Sequence, residues 1–183
     1  EACFTDVAFF KVFKTDLSVK GIEQLKKDLL NYKNNTLQKK VDLLAQRLAE
    51  KGVAIAKSNI TTLDAIFTGE LLNSMKARKG GSVKGTAIFY VVADSKHAAY
   101  VEFGTGQLGL EGGYPYPFPE GVDWQYNTGK KIRPFGKGQY GWFYQDDKGN
   151  VYFTQGMPSR PFMYETAVEL MTEIAKTAKE VFG

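Results

Sequence analysis

Residues 35–55 read NTLQKKVDLLAQRLAEKGVAI and predict the longest helix of the chain. Apolar residues recur there at steps of three, four and seven, the spacing of one helical face; they are Leu37, Val41, Leu44, Leu48 and Ile55. Asn35 and Gln38 form a start that resembles a capping box. Gly52 lies inside the helix, where glycine costs about 1 kcal/mol relative to alanine, so we expect a bend or a close contact there.

Helices are also predicted on both sides of this stretch. Ser18 begins one in which Ile22, Leu25 and Leu29 keep helical spacing until the NYKNN cluster at 31–35. A C-terminal helix starts at Ser159 and Pro161. Its apolar stripe is predicted to pack on the 37–55 helix and comprises Met163, Ala167, Leu170, Ile174, Ala178 and Val181.

The remaining segments contain β-rich stretches and one short helix. Val7–Lys14 and residues 82–94 have the aromatic and β-branched content of strands, and aromatic runs around 147–150 predict a hairpin. Residues 69–78, capped by Thr68, predict a short helix. The sequence therefore predicts an α+β fold, a small mixed or antiparallel sheet packed against a long helix and a C-terminal helix, in one domain over residues 1–183.

Composition restricts the chemistry. The chain has 183 residues, one cysteine, one histidine and a net charge of +4, which predicts a globular protein and does not favour a nucleic-acid binder. No apolar run reaches the length of a membrane span, so we expect a soluble protein that is not secreted. With Cys3 as the single cysteine and His97 as the single histidine, the chain cannot form an intramolecular disulfide or a Cys/His zinc site. A catalytic thiolate–imidazole pair of these two residues is disfavoured, and an unreactive thiol near the chain end is the favoured interpretation of Cys3.

The segment 107–156 has an unusual composition, rich in aromatic residues, glycine and proline. It holds 12 of the 25 aromatic residues, 10 of the 19 glycines and 4 of the 6 prolines. We expect a long loop or hairpin insertion whose rings exceed what a loop buries. Exposed aromatic residues are typical of protein interfaces, and carbohydrate binding uses the same residue types, so the sequence leaves both open.

Several patterns suggest chemistry without establishing it. Residues 104–109 and 136–141 both match GxGxxG, but no helix is expected after either, which favours simple loops over a nucleotide site. The Asp146–Asp147 pair is predicted to be a solvated turn.

Glu102 stands inside the apolar run 98–103. It is predicted to be presented at a surface or half-buried with Arg160 or Lys96 as its partner. A structural or interface role is favoured over acid/base catalysis, because no second titratable group accompanies it.

The order of the segments resembles a known family. The most specific pieces are YVEFGTG at 100–106 and MPSRPFMYE at 157–165, with TGEL at 68–71 and Ser74 as weaker ones. With these, the chain resembles, over roughly Phe10 to Val181, the siphophage family of minor tail or head-tail joining proteins named after gene product ten of the phage HK-ninety-seven.

The resemblance implies a structural protein of a phage neck or tail that acts in head-tail joining or tail completion. It implies no enzymatic activity and no cofactor, a homo-oligomeric ring, contacts with neighbouring neck or tail proteins, no membrane, and a place in the virion after synthesis in the bacterial host cytoplasm. Double-stranded DNA passes through such rings.

The alternative is a carbohydrate- or nucleic-acid-binding module that uses the aromatic loop. A cell-wall hydrolase is a third hypothesis, and the sequence lacks an identifiable acid/base pair for it.

Two sets of residues follow as candidates. The candidates for assembly interfaces are Tyr100, Glu102, Phe103, Tyr114, Tyr116, Phe118, Trp124, Trp142 and Arg160. The weaker candidates for facing DNA in the channel are basic; they are Lys76, Arg78, Lys79, Lys130, Lys131 and Arg133.

Overall fold

The computed structural model describes residues 13–65, 69–81, 86–126, 133–135, 139–146 and 148–183, with only the backbone at 133–135 and 139. Almost all of the predicted strand Val7–Lys14 lies outside these residues. So do Cys3, the predicted cap Thr68, the DNA candidates Lys130 and Lys131, and Asp147; for Arg133 only the backbone is described.

The fold is α+β, as the sequence predicts. The helices are α1 (Val19–Asn31), α2 (Gln38–Thr62), α3 (Glu70–Ser74), α4 (Ala98–Phe103), α5 (Gly106–Gly112) and α6 (Phe162–Phe182), and a π-helical segment, Tyr32–Leu37, joins α1 to α2. The strands are β1 (Met75–Lys79), β2 (Phe89–Ala93), β3 (Arg133–Phe135), β4 (Gln139–Gln145), β5 (Val151–Thr154) and β6 (Gly156–Met157).

The strands form two small antiparallel sheets. One pairs β1 with β2, and the other has the order β3-β4-β5. The hairpin β4–β5 confirms the prediction around residues 147–150, with Gln145 opposite Val151 at its closed end. The turn is held by the Asp146 carboxylate, which accepts hydrogen bonds from the backbone N–H groups of Lys148 and Asn150.

The chain divides into two compact units. One comprises Glu1–Ile55, Lys76–Val92 and Val168–Gly183; the other comprises Ala56–Met75 and Ala93–Ala167. We refer to them as the first and the second unit. Residues of α2 and of α6 are divided between both units, and the prediction of one domain over residues 1–183 stays a prediction.

In the first unit, α2 and α6 pack together as predicted. A Cβ atom on Gly52 would lie 3.2 Å from Leu170 Cδ2 and only 2.6 Å from Val91 Cγ2 of β2. The glycine therefore marks a close approach of three elements. Lys51 beside it forms an ion pair with Glu173 at 3.0 Å.

The predicted break between the first two helices is wrong. Ser18 does cap α1, since its hydroxyl accepts a hydrogen bond from Gly21 N, but the chain then stays helical from Val19 to Thr62 through the π-helical segment. Asn35 caps nothing and donates its amide to Asn31 Oδ1 at 2.6 Å. The side-chain hydrogen bonds of asparagine that favour caps are here made within the helix.

Two other predicted elements are corrected. The predicted helix over 69–78 is helical only through Ser74, because Met75 begins strand β1. The buried face of α6 matches the predicted stripe only in part: Val181 is buried as predicted, whereas Ala167 and Ile174 are exposed. Phe162, Thr166 and Thr177, which lie outside the predicted stripe, are buried as well. Two threonines occupy the buried face by donating their hydroxyls to carbonyls of the preceding turn.

Candidate functional site

The site lies in the second unit, where the two most specific pieces of the resemblance meet. Thr105 forms an antiparallel bridge with Met157. Arg160 N donates to Val101 O at 2.8 Å, and Ser159 Oγ donates to Glu102 O at 2.7 Å. The segments 100–106 and 157–165, more than fifty residues apart in the sequence, therefore form one continuous piece of structure.

Gly104 makes this contact possible. It follows α4 with φ +80°, and a Cβ atom there would lie 2.7 Å from Ser159 N. Any larger residue would be strained by its backbone angle and would also push the two segments apart. This glycine closes α4 and admits the second segment.

Glu102 joins the two segments through its side chain. The residue is 6% exposed, and its carboxylate accepts hydrogen bonds from Met163 N at 2.8 Å and Tyr164 N at 3.1 Å. These are N–H groups of the first turn of α6, which have no partner inside the helix. Pro161, which precedes the helix, has no side-chain acceptor, so a glutamate from α4 caps α6 in its place.

The partners predicted for Glu102 are therefore wrong. Arg160 Nε donates to Leu63 O at 3.1 Å, and the described contacts of the Glu102 carboxylate do not include Lys96. Ser159 was expected to begin α6 but bonds the Glu102 carbonyl instead. The N-terminus of α6, which the fold places beside Glu102, supplies the hydrogen bonds that this buried carboxylate needs. The sequence near Glu102 does not indicate this contact.

The third contact of the carboxylate is with Tyr114, whose hydroxyl donates to Glu102 Oε1 at 3.0 Å. Burial raises the pKa of Glu102 above its usual value and outweighs the opposing hydrogen bonds from Met163, Tyr114 and Tyr164; nearby Glu165 adds to the increase. Burial and the neighbouring carboxylate also raise the pKa of Tyr114 strongly. Tyr114 therefore keeps its proton and acts as a donor.

An aromatic cluster surrounds this hydrogen-bonded centre. Phe103 contacts Tyr114, Phe118 and Trp124, with ring centroids 4.9, 5.6 and 5.1 Å apart. Trp124 also contacts Tyr100 at 5.7 Å and donates its Nε1–H to Gly104 O at 3.0 Å. The rings of the 114–124 loop thus pack on α4 and on one another.

A second tyrosine–glutamate pair lies at the same end of α6. The ring of Tyr116 stacks on that of Tyr164, with centroids 3.7 Å apart, and its hydroxyl donates to the Glu165 carboxylate. That hydrogen bond raises the pKa of Tyr116. In the sequence, only the position of Tyr164 and Glu165 within the 157–165 motif points to them.

Beside the capped end of α6 lies a cavity of about 350 Å³. Its walls are mostly apolar, and Glu102 contributes the charged group; the lining includes Ala98, Ala99, Phe103, Tyr114, Phe162 and Met163. Since both oxygens of Glu102 already accept hydrogen bonds, the carboxylate acts as a structural acceptor in this arrangement.

The structure therefore brings eight of the nine interface candidates to one site, seven through side chains and Arg160 through its backbone bond to Val101. The prediction that these rings exceed what a loop buries is only partly right, because Tyr114, Tyr116 and Trp124 are half-buried and Phe118 is exposed. Trp142, on β4, has no described contact with the other candidate rings and packs instead against Gly106 at the start of α5. Among the described rings of the second unit, the most exposed belong to the hairpin β4–β5 and are Tyr140, Phe143, Tyr144 and Tyr152.

The glycine motif at 104–109 is not a simple loop. Helix α5 begins at Gly106, so the expectation that no helix follows is wrong. The helix has only seven residues, and it begins at the second glycine of the motif rather than the last, unlike a dinucleotide-binding turn. In the second match, 136–138 lie outside the described residues and 139–141 belong to β4.

Three of the DNA candidates lie on β1 in the first unit. Lys76, Arg78 and Lys79 are all exposed, and Lys79 Nζ lies 5.9 Å from the centroid of the Phe89 ring. They lie on a strand and not at the end of the short helix predicted over 69–78. Alternation along the strand puts Lys76 and Arg78 on one face and Lys79 on the other.

Within the described ranges, no group of three or more His, Cys, Asp or Glu residues is placed to hold a metal ion. Among the helices of the described chain, none combines the length and the apolar character that crossing a membrane requires. Comparisons with protein families, with curated proteins and with solved structures find no match to the chain.

Proposed function

We propose that the chain is a structural protein of a bacteriophage or prophage neck or tail. It acts in head-tail joining or tail completion by assembling into a homo-oligomeric ring that contacts neighbouring neck or tail proteins, and it carries out no catalysis. The protein is made in the host cytoplasm and ends in the virion. The resemblance at 100–106 and 157–165 and the apolar surfaces exposed in both units support this function.

The observation that carries the proposal is the amount of apolar surface exposed in both units. In the first unit, Ile22, Leu29, Leu30, Met171 and Ile174 are exposed on helices. In the second unit, the hairpin exposes Phe143 at 52% and Val151 at 63%. A ring subunit needs separate surfaces for its neighbours in the ring and for the proteins above and below it, and apolar patches on two units supply such surfaces.

The hairpin has exposed rings on both of its faces. Tyr144 and Tyr152 are opposite each other in the ladder and stack at 5.5 Å, whereas Phe143 and Phe153 form a T-shaped pair on the other face. A ribbon of this kind is suited to insertion between partner surfaces, which cover both faces. We assign it to contacts with a neighbouring neck or tail protein.

The test is deletion and complementation in the phage or prophage that encodes the chain. Without the gene, we expect filled heads and tails that fail to join or finish, as seen by electron microscopy. Phe143→Ser with Tyr152→Ser should fail to complement, whereas Lys148→Ser, an exposed change at the hairpin turn, should complement. Normal virions from the deletion strain would contradict the proposal.

A second candidate function is a carbohydrate- or nucleic-acid-binding module. The exposed and stacked Tyr144–Tyr152 pair favours it, because sugars and bases stack on such rings. Fluorescence titration with cell-wall glycans and single-stranded oligonucleotides separates the two functions. Saturable binding that Tyr144→Ala and Tyr152→Ala abolish, together with normal virions from the deletion strain, would favour this candidate.

A further inference from the structure

The cavity beside the capped end of α6 has the size of a small-molecule site. Its volume of about 350 Å³ lies within the range of roughly 300–1,000 Å³ that is typical of ligand pockets, and an apolar void of about 150 Å³ already holds benzene. All of its lining residues belong to the second unit. Ala99 and Ala167 line it and are exposed, so a ligand with one ring and a short chain has both room and a path of entry.

The charged group in the cavity wall has no counter-ion among the described residues. The Glu102 carboxylate accepts hydrogen bonds from the Tyr114 hydroxyl and from the N–H groups of Met163 and Tyr164, and all three donors are neutral. No lysine, arginine or histidine in the described ranges forms an ion pair with it. A buried carboxylate without an opposite charge is costly, so the cavity favours a cation and disfavours an anion.

The hydrogen bonds of Glu102 also leave acceptor positions unused. Its Oε1 accepts two hydrogen bonds and its Oε2 accepts one, whereas an ionised carboxylate offers about four lone-pair positions. The Tyr114 hydroxyl donates its proton to Glu102 and still has lone pairs of its own. An N–H donor can therefore be accepted at this end of the cavity without breaking a bond that caps α6.

Aromatic side chains form much of the remaining wall. Phe103, Tyr114, Phe162 and Tyr164 all line the cavity, together with three alanines. Aromatic ring faces attract ammonium and guanidinium groups, most strongly where water is excluded. The same rings and the alanine methyl groups pack on hydrocarbon.

We infer that this cavity binds an organic cation, an ammonium or guanidinium group carried on a hydrocarbon body, with Glu102 as its charge partner. Two sources share this chemistry: a free amine, and a lysine or arginine side chain of a neighbouring protein. The inference goes beyond the proposed function and does not depend on it.

Titration of the full chain with phenethylamine at pH 7 tests the site. Phenethyl alcohol and phenylacetate have nearly the same shape and serve as the neutral and the anionic control; calorimetry measures all three. We expect saturable binding of the amine, at least about tenfold tighter than that of the alcohol, and no saturable binding of phenylacetate. An amine that does not bind, or that binds no tighter than the alcohol, would overturn the inference.

Variants locate the binding. Ala167→Leu adds bulk to the cavity wall and should weaken phenethylamine binding at least about tenfold. Ala175→Leu, at another exposed alanine of α6 that does not line the cavity, is the matched control and should bind like the unchanged chain. Equal affinities of these two variants would place the amine elsewhere and overturn the inference. Glu102→Gln should abolish the preference for the amine over the alcohol; if that variant does not fold, the two alanine variants still decide.

A further titration distinguishes the two sources of the cation. The probes are butylamine and a tripeptide with a central lysine and both ends blocked, which carry the same aminobutyl group. Tighter binding of the peptide would assign the cavity to a lysine side chain of a partner protein, and tighter binding of butylamine would assign it to a free amine. If neither competes with phenethylamine, the cavity does not recognise the cationic group and the inference is wrong.

Discussion

The carboxylate of Glu102 accepts a hydrogen bond from Met163 N at 2.8 Å, although the two residues are 61 positions apart in the chain. This bond makes the start of α6 depend on α4. The hydroxyl of Tyr114 binds the same carboxylate, so the aromatic loop depends on it as well. One buried side chain therefore holds three segments of the second unit.

Glu102→Gln should destabilise the protein by about 1–3 kcal/mol at pH 7. The amide replaces one acceptor oxygen by a donor, and a buried N–H or O–H then loses its partner. Urea denaturation followed by circular dichroism measures the change. Glu120→Gln, at an exposed loop position, is the control and should change stability little; equal effects of the two variants would remove the capping role.

The cost of Glu102→Gln should grow as the pH is lowered. Burial raises the pKa of Glu102 in the folded chain above its ordinary value, so the folded state binds this proton more tightly than the unfolded state. The stability that this group contributes is complete below the unfolded pKa and is lost as pH rises through the folded pKa. Denaturation of both proteins at several pH values tests this; a cost that shrinks on acidification would contradict it.

Gly52→Ala should destabilise the first unit although alanine favours helices. The added Cβ would lie 2.6 Å from Val91 Cγ2, and this overlap outweighs the gain of about 1 kcal/mol in helix propensity. Val91→Ala removes the clashing methyl, so Gly52→Ala should cost much less in that background. Thermal denaturation of the four proteins completes the cycle; equal costs in both backgrounds would mean that the close contact is not the cause.

How much of the fold is predictable from sequence depends on whether the signal is local. The Ser18 cap, the hairpin turn and the constrained Gly52 are local features, and the structure confirms each. Asn35 fails as a predicted cap because the alternative, a π-helical segment, keeps both neighbouring helices continuous. On α6, periodicity identified a helix with a wide apolar arc, but the side of that arc that packs depends on its neighbours.

Phe162→Ala and Ile174→Ala should differ sharply in their effect on the isolated chain. Phe162 is fully buried, and its loss should cost about 3–5 kcal/mol. Ile174 is 47% exposed, so its truncation should cost less than about 1 kcal/mol. Thermal melts of the dilute protein give both values. A large cost for Ile174→Ala would show that this side of α6 is covered within the chain.

The basic residues of β1 should affect DNA binding if the ring encloses DNA. We expect the triple change of Lys76, Arg78 and Lys79 to glutamine to weaken non-specific binding of duplex DNA. It should also lower the slope of log K against log salt concentration by up to about 3. The same change at Lys57, Lys96 and Lys148, which are exposed elsewhere, is the control. Equal losses in both triple variants would mean that net charge alone is responsible.

The site was predictable as a set of residues but not as an arrangement. Glu102 attracted attention because a carboxylate inside an apolar run needs a partner, and the 107–156 segment did so through its composition. Neither signal indicates that the partner is the N-terminus of α6, since the capping N–H groups belong to the backbone and leave no mark in the sequence. The contact of Gly104 with Ser159 is hidden for the same reason.

The π-helical segment Tyr32–Leu37 sets the direction in which α1 presents its side chains. A π-helical turn holds more residues than an α-helical turn, so removing one residue there would restore a regular α-helix. The preceding helix would then rotate by about 100° about its axis. Ile22 and Leu29 would point elsewhere while the helix content stayed the same. In an assembly that uses this face, deletion of a single codon in the π-helical segment would therefore change the direction in which the apolar face of α1 points. The residues that form the face would stay the same.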